Sequence, residues 1–225
     1  MAKMALAARL FGGTCFLCRG AAAGLLCEGC VADLPALASP RCPKCALPSP
    51  QGETCGRCLA RPPSYDATVA ALAYGFPADA LVHALKFRGE LALAPLLGAL
   101  LARAVADANQ PAVHWIVPVP LSAERLKSRG FNQSIEISRG LARVDSHLVQ
   151  RARDTAPQFD LPWAERQRNV RGAFSVARLV EGLSIAVVDD VMTTGATLDE
   201  LARTLKAAGA RRVVNWVVAR TPAPE

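Results

Sequence analysis

The chain has no segment able to cross a membrane as a helix. Its longest apolar stretch, LALAPLLGALLA at 91–102, is twelve residues long and carries a proline, against about 20 apolar residues for a spanning helix. It has no Gly-Lys pair and no G-x-G-x-x-G, which removes the Walker phosphate loop and the dinucleotide fingerprint. Past residue 58 it has no cysteine. Its three histidines, His83, His114 and His147, have no acidic or thiol neighbour at catalytic spacing, so packing or surface roles are expected of them. MAKMALAARLFGG at 1–13 makes a poor export signal, because Arg9 interrupts its apolar region and a cysteine-rich stretch follows. It is expected to be the opening helix of a soluble cytoplasmic protein.

What is present describes a globular chain. The 225 residues are 52% hydrophobic and 20% charged, which gives a core and leaves room for one ordinary domain plus a small module. The net charge is +7, and residues 121–178 hold 11 Lys or Arg against 6 Asp or Glu, so this quarter supplies +5 of it. An anionic ligand is expected there, although +7 overall is modest for a dedicated nucleic-acid binder.

All eight cysteines form CxxC pairs: Cys15/Cys18, Cys27/Cys30, Cys42/Cys45 and Cys55/Cys58. A two-residue gap lets both thiolates of a tight turn reach one tetrahedral zinc, so four pairs make two sites. Disulfides would also fit the even count, but cytosolic thiols stay reduced. A thioredoxin-like redox motif occurs once, beside a βαβ pattern, and this region has neither feature. Pairing in sequence order puts Cys15, Cys18, Cys27 and Cys30 on one metal and Cys42, Cys45, Cys55 and Cys58 on the other; a cross-braced pairing is the alternative. Four protein ligands leave no open position, so such zinc supports folding and recognition, not catalysis. Pro62-Pro63 marks the exit from this module, giving residues 1–62 as the zinc module and 63–225 as the second domain.

In that second domain the stretch VVDDVMTTGATLDE at 187–200 is the most informative. Leu183 to Val188 is an apolar, β-branched run suited to a strand buried on both faces. Asp189 and Asp190 would then sit at its carboxyl end, where open α/β sheets bind ligands. Thr197-Leu198-Asp199-Glu200 fits a capping box, with Leu198, Leu201 and Leu205 at helical spacing and Gly209 as the stop. The N–H groups of Thr193, Thr194, Gly195 and Ala196, with the hydroxyl of Thr197 near them, would form an anion site at a helix N-terminus. Carboxylates repel phosphate, so the Asp pair needs another role, and accepting hydrogen bonds from sugar hydroxyls fits. The motif is therefore read as a cradle for a phosphorylated sugar.

Elsewhere, Tyr65–Tyr74 reads as a strand. A helix follows from Pro77 through Phe87, with Leu81, Val82, Leu85 and Lys86 at helical intervals. A second helix covers Leu91–Asp107, and WIVPV at 115–119 is a short strand with an irregular, proline-marked end. From it leads PVPLSAERLKSRGFNQS at 118–134, read as a loop. Arg125, Lys127 and Arg129 at alternate positions, then Asn132 and Gln133, would offer charge and donors to a diphosphate. A solvated helix start is the competing reading of those basic residues. Residues 151–174 look like a long loop able to close over an anion, with Phe159 and Trp163 packing it down or stacking on a base. VVNWVVAR at 213–220 is the last strand, completing a βαβ unit.

Together the CxxC pairs, HALKFRGE at 83–90, VPVPLSAERLKSRGFNQS at 117–134, RQRNVRGAF at 166–174 and VVDDVMTTGATLDE resemble the ComF family of bacterial competence-related, phosphoribosyltransferase-like proteins. The likeness runs through most of the chain with motif order kept. It implies an α/β type I phosphoribosyltransferase fold, a mostly parallel sheet flanked by helices, with an N-terminal double zinc ribbon. It implies binding of phosphoribosyl pyrophosphate (PRPP) by Asp189, Asp190, Thr193, Thr194, Gly195, Ala196 and Thr197, with Mg²⁺ accompanying the diphosphate. For an enzyme it implies displacement of pyrophosphate at the ribose anomeric carbon, with no protein nucleophile and with Asp189 and Asp190 holding the sugar. The acceptor is not identifiable, since no base-recognition hood stands out. The alternative is a non-catalytic PRPP sensor or single-stranded-DNA-binding protein that acts in DNA uptake with a helicase partner. One departure lies at Phe159-Asp160-Leu161-Pro162-Trp163, where many relatives carry a Thr and small residues.

Overall fold

The computed structural model describes residues 13–152 and 170–223. The cysteine-rich part holds a small hairpin, β1 (Gly13–Thr14) with β2 (Ala21–Ala22), and two one-turn helices, α1 (Glu28–Ala32) and α2 (Gly56–Ala60). Then come β3 (Ala67–Ala73), α3 (Ala78–Arg88), α4 (Leu93–Asp107), β4 (Trp115–Pro118), α5 (Ala123–Arg129) and α6 (Gln133–Ser138). The chain continues through β5 (Val149–Arg151), β6 (Phe174–Val176), β7 (Ser184–Met192), α7 (Ala196–Ala207) and β8 (Arg212–Arg220). The expected opening helix at 1–13 lies almost wholly outside the described residues, as do Phe159 and Trp163.

Four strands form the central sheet in the order β3-β8-β7-β4, all parallel. Alternation along β7 and β8 divides the core in two. Ile185, Val187, Val213 and Val217 pack towards α7, while Ala186, Val188, Val214, Trp216 and Val218 pack towards α3 and α4. Both faces are covered, which is why these strands read as continuous apolar runs. β4, which ends on Pro118, is an edge strand, the place a sheet tolerates residues lacking a backbone donor. The opposite edge, β3, is capped by the cysteine-rich part: the N–H groups of Thr68 and Ala73 donate to the carbonyls of Pro43 (3.1 Å) and Pro35 (2.9 Å). This removes part of an open edge.

Three local expectations are corrected. The strand expected over Leu183–Val188 runs on to Met192, so Asp189 and Asp190, expected at its carboxyl end, lie within its last four residues. Segment 118–134 is not one loop: it holds the whole of α5 and the first two residues of α6 between irregular stretches, as the competing helix reading of its basic residues had it. Ser122 caps α5 by accepting from the Arg125 N–H at 3.3 Å, and Gly130 ends it at φ 81°. Helix α7 starts at Ala196 with Gly195 at its N-cap, two positions earlier than a Thr197 cap requires. Glu200 accordingly does not reach back to Thr197: its Oε1 accepts from the Gly172 N–H at 2.7 Å and pairs with Arg203.

Candidate functional site

A cleft of about 860 Å³ opens at the carboxyl ends of β4 and β7. Its floor is Asp189 and Asp190, and one wall is the turn Thr193-Thr194-Gly195 with the first residues of α7, Ala196 and Thr197. Gly195 sits at φ 83°, and an added Cβ would lie 2.7 Å from the Met192 Cε and 3.2 Å from the Tyr65 hydroxyl. The positive φ strains any side chain here, and a Cβ would also require the end of Met192 to move aside. The Ala196 N–H is taken by the Thr194 hydroxyl at 3.2 Å. Among the described residues no protein acceptor takes the N–H of Thr193, Thr194 or Gly195. These three donors, without a partner among the described residues, stand at the positive end of a twelve-residue helix, an arrangement suited to an anion.

The two aspartates differ. Asp190 is 2% exposed and its Oδ2 lies 2.8 Å from the Lys86 ammonium, while its Oδ1 accepts from the Val191 N–H at 2.7 Å. Asp189 accepts from the Ser134 hydroxyl and the Asp190 N–H, each at 3.0 Å. Burial first, and the adjacent Asp190 carboxylate second, push Asp189 up to about 7 despite the opposing pull of Lys86. A floor that holds one fixed anion and one carboxyl near neutrality can accept hydrogen bonds from vicinal hydroxyls without presenting two full charges to a phosphate.

The basic wall is sorted by helix geometry. Arg125 and Arg129, four residues apart on α5, both line the cleft, whereas Lys127 is exposed and does not. Alternate residues share a side in a strand; in a helix they diverge by about 200°. Arg129 donates to the Gln133 Oε1 at 2.5 Å and stacks 5.5 Å from the Phe87 ring centre. Burial lowers its basicity, partly countered by Asp190. Gln133 lines the cleft, but Asn132 does not: its carboxamide caps α6, accepting from Ser134 and Ile135 and donating to the Val119 carbonyl at 3.0 Å.

Sequence reasoning missed Lys86, Ser134 and Arg151 as neighbours of this cleft. The signal for Lys86 was present, because a lysine in the apolar stripe Leu81, Val82, Leu85 is out of place unless it meets an anion. Arg151, at the end of β5, also lines the cleft. No histidine does. The His114 Nδ1 accepts from the Ser184 N–H at 2.9 Å, and His83 packs 4.6 Å from the Phe87 ring.

The cysteines gather in sequence order, Cys15 with Cys18, Cys27 and Cys30, and Cys42 with Cys45, Cys55 and Cys58, each set of sulfurs within 4.8 Å. This settles the pairing against the cross-braced alternative. Cys18 and Cys27 Sγ are 3.7 Å apart and Cys45 and Cys55 Sγ 3.6 Å, matching the edge of about 3.8 Å that a tetrahedron with 2.3 Å Zn–S bonds requires. Neighbouring N–H groups, chiefly that of Cys18, bring Cys15 down to about 6. Burial pushes Cys42 up, but the N–H groups of Cys55, Cys45 and Lys44 prevail and hold it at about 7. Burial pushes Cys30, Cys45 and Cys58 up instead, so each group has one readily ionised thiol and a bound metal ion would ionise the others. The donor sets fit zinc. Among the described residues no carboxylate or imidazole cluster of three or more groups forms a further metal cage.

Residues 6–59 match the double zinc ribbon domain family, and residues 98–225, more than half the chain, match the phosphoribosyl transferase domain family. The chain is 38% identical over 222 residues to DNA utilization protein YhgH of Salmonella typhi, covering 93% of this chain and 97% of that one. It is 38% identical over 190 residues to the protein of that name in Escherichia coli K12 (80% and 84% covered). Against competence protein F of Haemophilus influenzae it is 33% identical over 226 residues (93% and 98% covered). With the four-cysteine groups and parallel sheet already described, these matches mean that the chain belongs to the ComF family of competence-related proteins, which join a double zinc ribbon to a phosphoribosyl transferase domain.

Proposed function

We propose that the cleft binds PRPP with Mg²⁺, and that the protein transfers phosphoribosyl to an acceptor with release of pyrophosphate. The observation that carries this is the juxtaposition, across one cleft, of the Asp189–Asp190 floor with the three free N–H groups at Thr193, Thr194 and Gly195. The N–H groups take the 5′-phosphate and the carboxyls accept from the ribose 2′- and 3′-hydroxyls. Such two-point seating fixes the anomeric carbon towards the basic wall, where Arg125 and Arg129 meet the diphosphate. Lys86 holds Asp190 in place, and Ser134 holds Asp189.

Bound Mg²⁺ would neutralise diphosphate charge as the leaving group departs. The protein's part is positioning and electrostatic: Asp189 and Asp190 lie beneath a ribose that gains positive charge, and the arginines face oxygens that gain negative charge. The relatives' names, DNA utilization and competence, support a setting in DNA uptake; single-stranded DNA and a helicase as partners of the basic surface are what the family resemblance suggests. The cytoplasm suits thiolate zinc sites. The test is to supply PRPP, Mg²⁺ and a panel of bases and follow pyrophosphate. Release dependent on one base, and lost in Asp190→Ala, names the activity and the acceptor. Calorimetric binding without release under any base leaves the sensor reading in its place.

A further inference from the structure

Arg220, the last residue of β8, is 2% exposed, and among the described residues no carboxylate pairs with it. Its Nε donates to the Cys45 carbonyl at 2.8 Å. Its Nη1 lies 2.9 Å from the Met192 carbonyl, 2.6 Å from that of Thr193 and 2.9 Å from that of Thr221, which share its two hydrogens. Among the described residues its Nη2 has no hydrogen-bond partner. A buried guanidinium without a counter-ion is costly, and the charge must be balanced nearby. The candidate is the second cysteine group, to which Cys45 belongs: one zinc with four thiolates carries a net charge of about −2.

The other end of the bridge is the anion site itself. A trans peptide is planar with its C=O and N–H opposed, so fixing the carbonyls of Met192 and Thr193 fixes the N–H groups of Thr193 and Thr194 pointing the other way. Those are two of the three free donors of the cleft. Tyr65 reinforces the link, since it abuts Gly195 and shares one core cluster with Cys42, Cys45, Cys58 and Met192. Cys15, from the first cysteine group, packs in the cluster on the opposite face of the sheet.

We propose that Arg220 is a positioning residue that couples the second zinc site to the anion-binding turn: the loaded Cys42–Cys45–Cys55–Cys58 site retains Arg220, and Arg220 holds the turn's donors towards the cleft. Its functional consequence rests on the PRPP reading above; the coupling between metal site and turn does not. By reciprocity, whatever tightens the turn must also stabilise that one metal site.

The experiment is pulse alkylation of the zinc-loaded full chain under a chelator, with mass spectrometry resolving peptides of the two cysteine groups. In the absence of ligand, Arg220→Met is expected to speed alkylation of Cys42, Cys45, Cys55 and Cys58 by about tenfold and leave Cys15, Cys18, Cys27 and Cys30 unchanged. In the unsubstituted protein, Mg²⁺ and PRPP slow the second group alone. Calorimetry is expected to show PRPP affinity about tenfold weaker in Arg220→Met and partly restored in Arg220→Lys. Should Arg220→Met not fold, the unsubstituted protein and Arg220→Lys decide the question. If calorimetry detects no PRPP binding at all, the ligand reading fails, and the ligand-free arm alone judges the coupling. Equal alkylation of the second group in variant and unsubstituted protein, or protection by bound PRPP spread evenly over both groups, overturns it.

Discussion

Asp189 and Asp190 are neighbours in sequence with unlike surroundings, and the difference is measurable. Asp189 titrates near 7, against about 4 in an unfolded chain. Between those values the native state binds the extra proton, so the stability Asp189 contributes is full at low pH and is lost as pH rises towards 7. Asp189→Asn should therefore gain stability over the unsubstituted protein at pH 8 and show little difference near pH 4; urea unfolding at the two pH values checks it. Asp190 has a different task, its carboxylate meeting a largely buried Lys86. Asp190→Ala strands that ammonium and should cost about 3 kcal/mol by the same unfolding measurement. The Asp pair was legible in the sequence because nothing but a ligand or a cation explains two acids on a buried strand. Lys86 and Ser134 were less so, since their meeting with the pair depends on α3 and α6 crossing β7, which no local pattern encodes.

At the scale of elements, the turn between β7 and α7 works because Gly195 takes a left-handed conformation under Tyr65 and Met192. Gly195→Ala should lower unfolding free energy by about 1–3 kcal/mol and weaken PRPP binding together. A loss of stability with unchanged affinity would mean that the turn is structural only. Gly98 serves packing instead, since a Cβ there would stand 2.5 Å from the Ile137 carbonyl, and α4 and α6 approach each other through it. Strands and long helices were readable from periodicity, including the start of α3 at Pro77 and the stop at Gly209. The misreadings have local causes. Short helices such as α5, with seven residues, have too few turns for apolar periodicity to declare itself. A Thr-x-x-Glu pattern resembles a capping box even when Gly195 has already begun the helix.

For the whole molecule, the cysteine-rich part is bound into the fold: it caps the β3 edge, and its two metal sites contribute to opposite faces of the sheet core. Stripping zinc should therefore lower the melting temperature of the entire chain in one transition, where a tethered, independent ribbon would leave the main transition in place; calorimetric scans with and without chelator tell these apart. Sequence spacing could announce the metal sites but not this docking, which depends on Pro35, Pro43 and Arg220 meeting partners far along the chain. The charge of +7 also makes a whole-molecule prediction. Single-stranded DNA, if bound by the basic surface, should be released steeply as salt rises, and absence of binding at low ionic strength would rule out DNA as a partner.

The most direct test of the cleft is a calorimetric titration of PRPP with Mg²⁺ into the zinc-loaded protein and into Asp190→Ala whose fold has been checked by circular dichroism. Ligand seating on the aspartate floor predicts saturable binding at one site per chain, weakened at least about tenfold in the variant, the equivalent of one lost charged hydrogen bond. No binding to the unsubstituted protein, or the same affinity in both, would contradict it.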